Sequence, residues 1–176
     1  MTSTRTQLIA TLQNGPNDAG LKELVHRMET EHPADLTTDA DMLTGVWELR
    51  WSSSSQPWLK QSAILDNLQI LDTERQKGCN QLRLRGPLKT LAAVTVQVDL
   101  KITGRQRVEV NFRRGGWVGP KLPGGRQLAL MREVNQSFPA WLDITVLDEE
   151  LRICRGNAGT TFALLRRSEM SVSDFI

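Results

Sequence analysis

The hydrophobic pattern changes from a helical to a strand-like period near residue 45. Residues 5–13 and 18–31 carry apolar residues at helical spacing. In the second segment they form one stripe, made of Leu21, Leu24, Val25 and Met28. The pattern predicts two helices, followed by a polar linker that leads into the first strand.

From residue 45 onward, apolar and polar residues alternate, as they do in strands with one buried face. In the clearest run, residues 94–102, five apolar side chains face one way and four polar side chains face the other. Similar runs occupy residues 45–51, 62–71, 82–84, 107–113, 126–132, 141–147, 150–155 and 160–166. Because no helices separate them, these strands predict a mainly β fold, an antiparallel β-barrel or sandwich of about eight to nine strands with N-terminal α-helices.

Length and composition indicate an ordinary globular chain. Its 176 residues fit one domain, with 39% hydrophobic and 24% charged residues. No apolar run approaches the roughly 18–20 residues of a membrane-spanning helix. The N-terminus enters the first helical pattern without an apolar signal core, so we expect an unprocessed, cytoplasmic protein.

Cysteine and histidine are too sparse for a disulfide framework or a metal site. Cys79 and Cys154 lie far apart in sequence, which favours a reducing compartment. His26 and His32 are six residues apart, a spacing that puts them on different sides of a helix. We therefore expect neither a metal nor a cofactor.

Positive charge concentrates in residues 72–132, which hold thirteen Lys or Arg against four Asp or Glu. Such an excess attracts phosphate-bearing partners, either lipid headgroups or nucleic acid. Most of these arginines occupy outward strand positions, and no aromatic residues interleave with them in a stacking pattern. We therefore expect a solvated outer face and no nucleic-acid partner.

Four carboxylates and a cysteine crowd residues 141–165, so acid–base catalysis is one hypothesis. Strand alternation puts Ile144 and Val146 on the same face and makes Asp148-Glu149-Glu150 a turn. Carboxylates in a turn point different ways and stay solvated, whereas catalytic pairs converge in a cleft. No histidine lies near Cys154 to activate its thiol. The cluster therefore favours turns over catalysis.

Asp143 is the exception in this cluster. If it faces the interior, its carboxylate needs an arginine partner, because an unpaired buried carboxylate is costly. Arg152 and Arg155 are near in sequence. Such a pair is either structural or orients the polar head of a ligand, and an enzyme with Asp143 as its acid or base is a further alternative.

Residues 113–125 combine glycine and proline with apolar and basic residues. The glycines and prolines predict irregular structure, from which Trp117, Val118 and Leu122 would project beside arginines. An apolar loop flanked by basic residues is suited to cover the mouth of a barrel or to enter a membrane interface. Trp58 is expected to act with it. The alternative is an ordinary packed loop.

The whole chain resembles the plastid lipid-associated protein/fibrillin family. The resemblance is carried by "LTGVWELRWSSS", "LRLRGPL" and above all "WLDITVLDEELRICRGNAGTTFALLRR". It departs at Val146, where an aromatic is common, and at Cys154, where a serine is common. The resemblance implies a lipocalin-like barrel that binds or organises isoprenoids, quinones and other lipids. The short chain without an evident transit peptide favours a cyanobacterial member.

The Gly45-x-Trp47 pair is similar to the opening motif of lipocalins. In that fold the tryptophan seals one end of the barrel, and an arginine of the last strand stacks over it. Arg166 or Arg167 is the expected partner. The resemblance thus implies structural closure by Gly45, Trp47 and Arg166, with direct ligand contact as the alternative.

These expectations combine into one picture. Residues 1–40 form a helical element packed on the barrel, 41–170 form the barrel, and 171–176 form a tail. The barrel binds a hydrophobic small molecule or lipid without catalysis, near thylakoid membranes or lipid bodies; the alternative is a side-chain-filled barrel that coats such surfaces. The expected lumen residues are Leu49, Trp51, Val96, Val98, Leu100, Val110, Phe112, Asp143, Arg155 and Phe162.

Overall fold

The computed structural model describes residues 3–14, 19–86, 92–124 and 126–176, apart from the side chains of Trp58 and Lys121. In this part of the chain, three helices precede the strands: α1 (Thr4–Asn14), α2 (Leu21–Glu31) and α3 (Leu36–Leu43). The strands are β1 (Gly45–Ser52), β2 (Leu65–Asp72), β3 (Lys77–Leu84), β4 (Ala93–Ile102), β5 (Arg107–Lys121), β6 (Gln127–Glu133), β7 (Ala140–Leu147), β8 (Leu151–Gly156) and β9 (Thr161–Arg166).

Eight of these strands close into a ring by antiparallel pairing. The order around the ring is β1, β2, β3, β4, β5, β7, β8 and β9, and β9 pairs back with β1. β6 pairs with β5 beside this ring. The prediction of a mainly β, antiparallel fold of about eight to nine strands with N-terminal helices is confirmed.

β5 continues past the ring as part of an open ribbon. Arg107–Val110 pair with β7, whereas residues 114–121 pair with β6 along the same edge. Between the two stretches, the side chain of Gln136 accepts a hydrogen bond from Phe112 N (2.6 Å) and donates one to Val110 O (3.2 Å). The starts of β2 and β4 and the ends of β3 and β5, together with β6, therefore continue beyond the pairing with β1 and β7 as a five-stranded ribbon.

The prediction of an irregular loop at 113–125 is wrong for most of its length, because β5 extends to Lys121. Gly116 allows the neighbouring strand to approach closely, since a Cβ there would lie 2.0 Å from Leu130 O. Pro120 falls in the register shift between Val118 and Lys121, where the ladder is already interrupted. A proline without an N–H is tolerated at such an irregularity.

One end of the ring is closed by α3, which forms in the segment predicted as a linker. The Asp35 carboxylate caps the helix by accepting a hydrogen bond from Thr37 N (3.0 Å). Leu36 N donates to Arg105 O (2.7 Å) in the β4–β5 hairpin. Leu36 and Leu43 are buried in the cluster inside the ring. We call this the closed end.

Part of the outer surface of the ring is covered by the two ends of the chain. α1 and α2 pack against β7, β8 and β9 through an apolar cluster that includes Leu8, Val25, Val146, Ile153 and Ala163. The C-terminal segment packs against the outer face of β1, β2 and β3 through Met170, Val172, Phe175 and Ile176. Both ends of the chain therefore stabilise the ring from outside.

Two β-bulges reverse the alternation of side chains. In β1 the register shifts between Leu49 and Trp51, so Leu49 joins the inner cluster and Trp51 the outer one. In β7 the shift lies between Ile144 and Val146, and again the first faces inward and the second outward. The prediction that Ile144 and Val146 share a face is wrong, because one extra residue inverts every side chain after it.

Candidate functional site

The inner face of the ring is mostly apolar. Most of the predicted lumen residues belong to its cluster: Leu49, Val98, Leu100, Val110 and Phe162 are buried, and Val96 and Phe112 pack against them partly buried. Strand alternation puts these side chains together because each strand presents every second residue to the interior. These side chains therefore offer hydrocarbon contacts rather than reactive groups.

Three predicted lumen residues lie elsewhere. Trp51 is turned outward by the bulge in β1 and packs against α1 and α2. The Asp143 carboxylate pairs with Arg107 at the surface, with Nε–Oδ1 and Nη2–Oδ2 distances of 2.7 and 2.8 Å. Arg155 pairs with Glu29 of α2, on the outside of the ring. Asp143 and Arg155 are cross-strand neighbours, but each forms its ion pair with a different residue.

The closed end is sealed by Trp47, which is fully buried. Its indole Nε1 donates to Leu43 O (3.0 Å), and the Arg166 guanidinium carbon lies 4.2 Å from the ring centroid. The same guanidinium donates to the carbonyls of Met42, Thr44 (2.7 Å) and Glu149 (2.6 Å). Arg166, rather than Arg167, is thus the residue stacked over the tryptophan.

Gly45 is required by this arrangement. A Cβ at this position would lie 2.1 Å from Arg166 Nη1. Any side chain here would displace the guanidinium from Trp47 and from the carbonyls that it binds. The Gly45-x-Trp47 spacing therefore lets the arginine reach the tryptophan.

At the other end of the ring, which we call the open end, Leu59 from the connection between β1 and β2 packs against the inner cluster, and an apolar row on the ribbon is exposed. Leu82, Val94, Trp117 and Leu130 are successive cross-strand neighbours on β3, β4, β5 and β6. Val94 alternates with Val96 and Val98, so the row continues the inner face of the ring. Its members are exposed: 54% for Val94, 39% for Trp117 and 63% for Leu130, with Leu82 half-buried. We call these four residues the apolar row.

The residues predicted to form a lid occupy this same region. Trp117 belongs to the apolar row, and Leu122 follows β5 and is 42% exposed. Val118 lies on the opposite face of β5 and is half-buried. The side chain of Trp58 lies outside the described part of the structure. The apolar feature is therefore a strand face that continues the interior, not a separate loop.

Arg152 is a feature of the interior that sequence reasoning missed as a site. It is completely buried beside Trp47, with its guanidinium carbon 5.1 Å from the ring centroid. Its Nη2 donates to Gln69 Oε1, while Nε and Nη1 have no hydrogen-bond partner. Burial, together with the nearby positive charge of Arg166, lowers the pKa of Arg152 to about 10. Its alternation with Cys154, which joins the inner cluster, was the available signal.

A second buried charge, Glu48, lies on the outer face of β1. Its carboxylate is paired with Arg50 (3.1 Å), Arg167 (2.8 Å) and Arg85. Burial acts to raise the pKa of Glu48, but these arginines outweigh it and hold the pKa below its usual value. Arg50 also donates to the last carbonyls of α1, so the cluster joins the helix to the ring.

The acidic stretch at residues 141–165 serves turns and ion pairs. Asp148 accepts hydrogen bonds from the N–H groups of Glu150 and Leu151 (both 2.8 Å) and pairs with Arg5 of α1 (2.7 Å). Cys154 is buried in the inner cluster, and burial raises the pKa of its thiol. These groups point to different surroundings, so they do not form a convergent acid–base pair.

A closed antiparallel ring of about eight strands with an apolar interior is the architecture of β proteins that enclose either their own side chains or one small ligand. The model of the PAP_fibrillin family matches residues 10–165. The chain therefore belongs to the PAP_fibrillin family.

Curated relatives of the chain are plastid proteins. It is 23% identical to the chromoplast-specific carotenoid-associated protein of Cucumis sativus, over 88% of this chain and 62% of the relative. It is 24% identical to a light-induced chloroplast protein of Solanum tuberosum, over 84% of this chain and 60% of the relative. It is 23% identical to a probable plastid-lipid-associated protein 2 of Arabidopsis thaliana, over 84% of this chain and 63% of the relative. The chain thus spans about three fifths of the length of these relatives.

No helix in the described residues combines the length and the apolar character needed to cross a bilayer.

Proposed function

We propose that the protein binds a small hydrophobic molecule, such as an isoprenoid, quinone, pigment or lipid, without catalysing a reaction. The observation that carries this proposal is the apolar row, an exposed surface continuous with the buried interior of the ring. Exposed apolar side chains that face a concave interior are costly in water and favour an apolar occupant. The carotenoid- and lipid-associated relatives support the same class of ligand.

A surface depression lies between β5 and the connection from β6 to β7. It has a volume of about 670 Å³ and is lined by apolar Phe112, Val134 and Phe138 together with polar Asn111, Arg113 and Gln136. Small-molecule sites occupy roughly 300–1,000 Å³, so this volume is adequate for part of a long chain. Burial of each methylene group contributes about 0.8 kcal/mol, and contacts with an apolar wall therefore suffice for binding.

We infer that the ribbon brings the open end to the surface of a photosynthetic membrane. Arg126 and Arg132 are exposed on the ribbon beside Leu122 and Leu130. A basic surface with apolar side chains at its centre suits the boundary between anionic headgroups and acyl chains. A hydrophobic molecule could then pass between the membrane and the inner face without crossing water.

The alternative is a structural protein that coats membrane or lipid-body surfaces. It is favoured by the packing near the closed end, where Leu49 and Leu164 are at most 2% exposed and the interior is filled by the chain itself. In that case the apolar row would still contact lipid, but no ligand would enter the ring. Binding inside the open end separates the two functions.

Filling the inner face near the open end tests the leading function. Val96 is half-buried there, and a Cβ on Gly115 would lie 3.6 Å from Val96 Cγ2. In Val96→Trp the added indole occupies the path inward, and we expect affinity for diphenylhexatriene, measured by its fluorescence, to fall about tenfold. Lys101→Trp on the outer face of the same strand is the matched control. Equal binding by all three proteins would favour the coating function.

Removing the apolar row tests membrane docking. Trp117→Ala/Leu130→Ala deletes two exposed side chains, so we expect the free energy of unfolding to change by less than about 1 kcal/mol. Co-sedimentation with phosphatidylglycerol vesicles should weaken about tenfold, because the apolar area that enters the interface is lost. Wild-type binding to neutral phosphatidylcholine vesicles should be weaker than to anionic ones. Undiminished binding of the double variant to anionic vesicles would overturn the docking proposal.

A further inference from the structure

Arg152 carries a buried positive charge whose hydrogen-bonding capacity is mostly unused. The residue has no exposed surface, and two of its three guanidinium nitrogens lack a partner. Its one hydrogen bond goes to the neutral amide of Gln69. Buried arginines are normally paired with carboxylates or fully hydrogen-bonded, because an uncompensated charge away from water is costly.

The described residues supply no anion for this cation. Its neighbours inside the ring are Trp47, Cys154 and a second arginine, Arg166. Burial raises the pKa of the Cys154 thiol, which keeps that group neutral. Arg166 adds positive charge to the same region. An incoming oxygen acceptor, above all an anion, would meet a favourable potential at this point of the interior.

Closure of the ring does not require Arg152. Trp47 is already covered by Arg166 at 4.2 Å, and Arg166 donates to three backbone carbonyls. Two arginines therefore stack on one indole. The hydrogen-bond donors of Arg166 have partners, whereas most of those of Arg152 do not. Arg166 serves the closed end, whereas Nε and Nη1 of Arg152 remain buried without a hydrogen-bond partner.

A hydrogen bond and strand pairing connect Arg152 to the accessible part of the inner face. Its partner Gln69 is half-buried and lies opposite Asn80 of β3, which is exposed. Asn80 in turn lies opposite Val96, and Leu82, two residues along β3, begins the apolar row. The inner face thus leads from exposed apolar residues through two amides to the buried guanidinium.

We propose that Arg152 binds the polar end of a single-chain hydrophobic ligand. The ligand class is an amphiphile whose head presents oxygen acceptors without donors: a carboxylate first, because it supplies the missing negative charge, and a quinone-type carbonyl second. The head reaches Nε and Nη1 of Arg152, and the apolar chain runs along the inner face toward the apolar row. This inference rests on the proposed binding function and specifies its ligand and orientation.

The test compares palmitate and hexadecanol, which have alkyl chains of the same length but differ in their heads. Diphenylhexatriene, a hydrocarbon without oxygen, reports occupancy of the interior, and the two probes compete with it. In the wild type, palmitate should displace the reporter at about tenfold lower concentration than hexadecanol. In Arg152→Met the advantage of palmitate should vanish, while the affinity for diphenylhexatriene should change by less than about twofold.

Control variants distinguish failure of the proposed role of Arg152 from failure of the proposed binding function. Without ligand, Arg152→Met should melt at or above the wild-type temperature, because an apolar side chain of similar length replaces an unpaired charge. Arg152→Lys should keep part of the palmitate preference. Equal displacement by palmitate and hexadecanol in the wild type overturns the role of Arg152, even if the variants fail to fold. Failure of the wild type to bind diphenylhexatriene overturns the proposed function and this inference with it.

Discussion

Replacement of Trp47 with alanine should lower the free energy of unfolding by about 3–5 kcal/mol, the range for loss of a large buried aromatic side chain. The indole is fully buried, donates to Leu43 O and makes cation–π contacts with both Arg152 and Arg166. Its removal leaves a cavity at the closed end and deprives two cations of their shared aromatic surface. Urea unfolding followed by circular dichroism measures the loss.

Trp141 offers a matched control. It also stacks with an arginine, since the guanidinium carbon of Arg107 lies 5.0 Å from its ring centroid, but the pair is on the outside of the ring and only partly buried. For Trp141→Ala we expect a loss of about 1 kcal/mol. Similar losses in both variants would show that position 47 has no special role, and an unchanged stability of Trp47→Ala would contradict its role in closure.

Glu48→Gln should be the second most damaging substitution, with a loss of about 2–3 kcal/mol. The carboxylate is 4% exposed and is shared by Arg50, Arg85 and Arg167. Neutralising it leaves three arginines close together without their common anion, as in a broken buried ion pair. The loss stays below the roughly 3–5 kcal/mol of completely buried pairs because the arginines remain partly solvated.

Asp143→Asn is the control for the charge change. Its ion pair with Arg107 has bidentate geometry, but the two side chains are 32% and 49% exposed. Exposed pairs contribute about 0–1 kcal/mol, so this variant should be nearly as stable as the wild type. A larger loss from Asp143→Asn than from Glu48→Gln would contradict the ranking by burial.

The effect of Glu48 should also depend on pH. Because the folded state holds the pKa of Glu48 below its ordinary value of 4.5, the carboxylate stabilises the fold fully above that value. The stabilisation is lost as the pH falls through the lowered folded-state pKa. The stability difference between wild type and Glu48→Gln should therefore be constant from pH 7 to about pH 5 and shrink below pH 4.5. A difference that grows on acidification would contradict a folded-state pKa of Glu48 that lies below its ordinary value.

The strands and their inward residues could be predicted from alternation, since one face of each is buried. Leu49, Val98 and Val110 illustrate this, and so does the stacking partner of Trp47 near the end of the last strand. The bulges could not be predicted, because an inserted residue leaves the composition of a strand unchanged while inverting the side chains that follow. Trp51 therefore faces α1 and α2 instead of the interior.

The site was harder to predict than the fold for a related reason. Glycine and proline between residues 113 and 125 suggested a loop, yet close strand approach at Gly116 and an irregular ladder at Pro120 accommodate both in β5. From the sequence, Arg152 was a candidate partner for the nearby Asp143. In the structure, Asp143 instead forms an ion pair with Arg107, because β7 pairs with β5. Proximity in sequence does not reveal this pairing. Pairing between distant strands decides both features.

Native mass spectrometry with an extract of photosynthetic-membrane lipids tests the central claim most directly. The wild type should retain one hydrophobic molecule per chain, identified by dissociation and lipid analysis, because the inner face and the apolar row offer one continuous surface. Val96→Trp should retain much less, whereas Lys101→Trp should match the wild type. A wild-type protein that emerges without any bound molecule, or a Val96→Trp variant with undiminished occupancy, would contradict binding inside the ring.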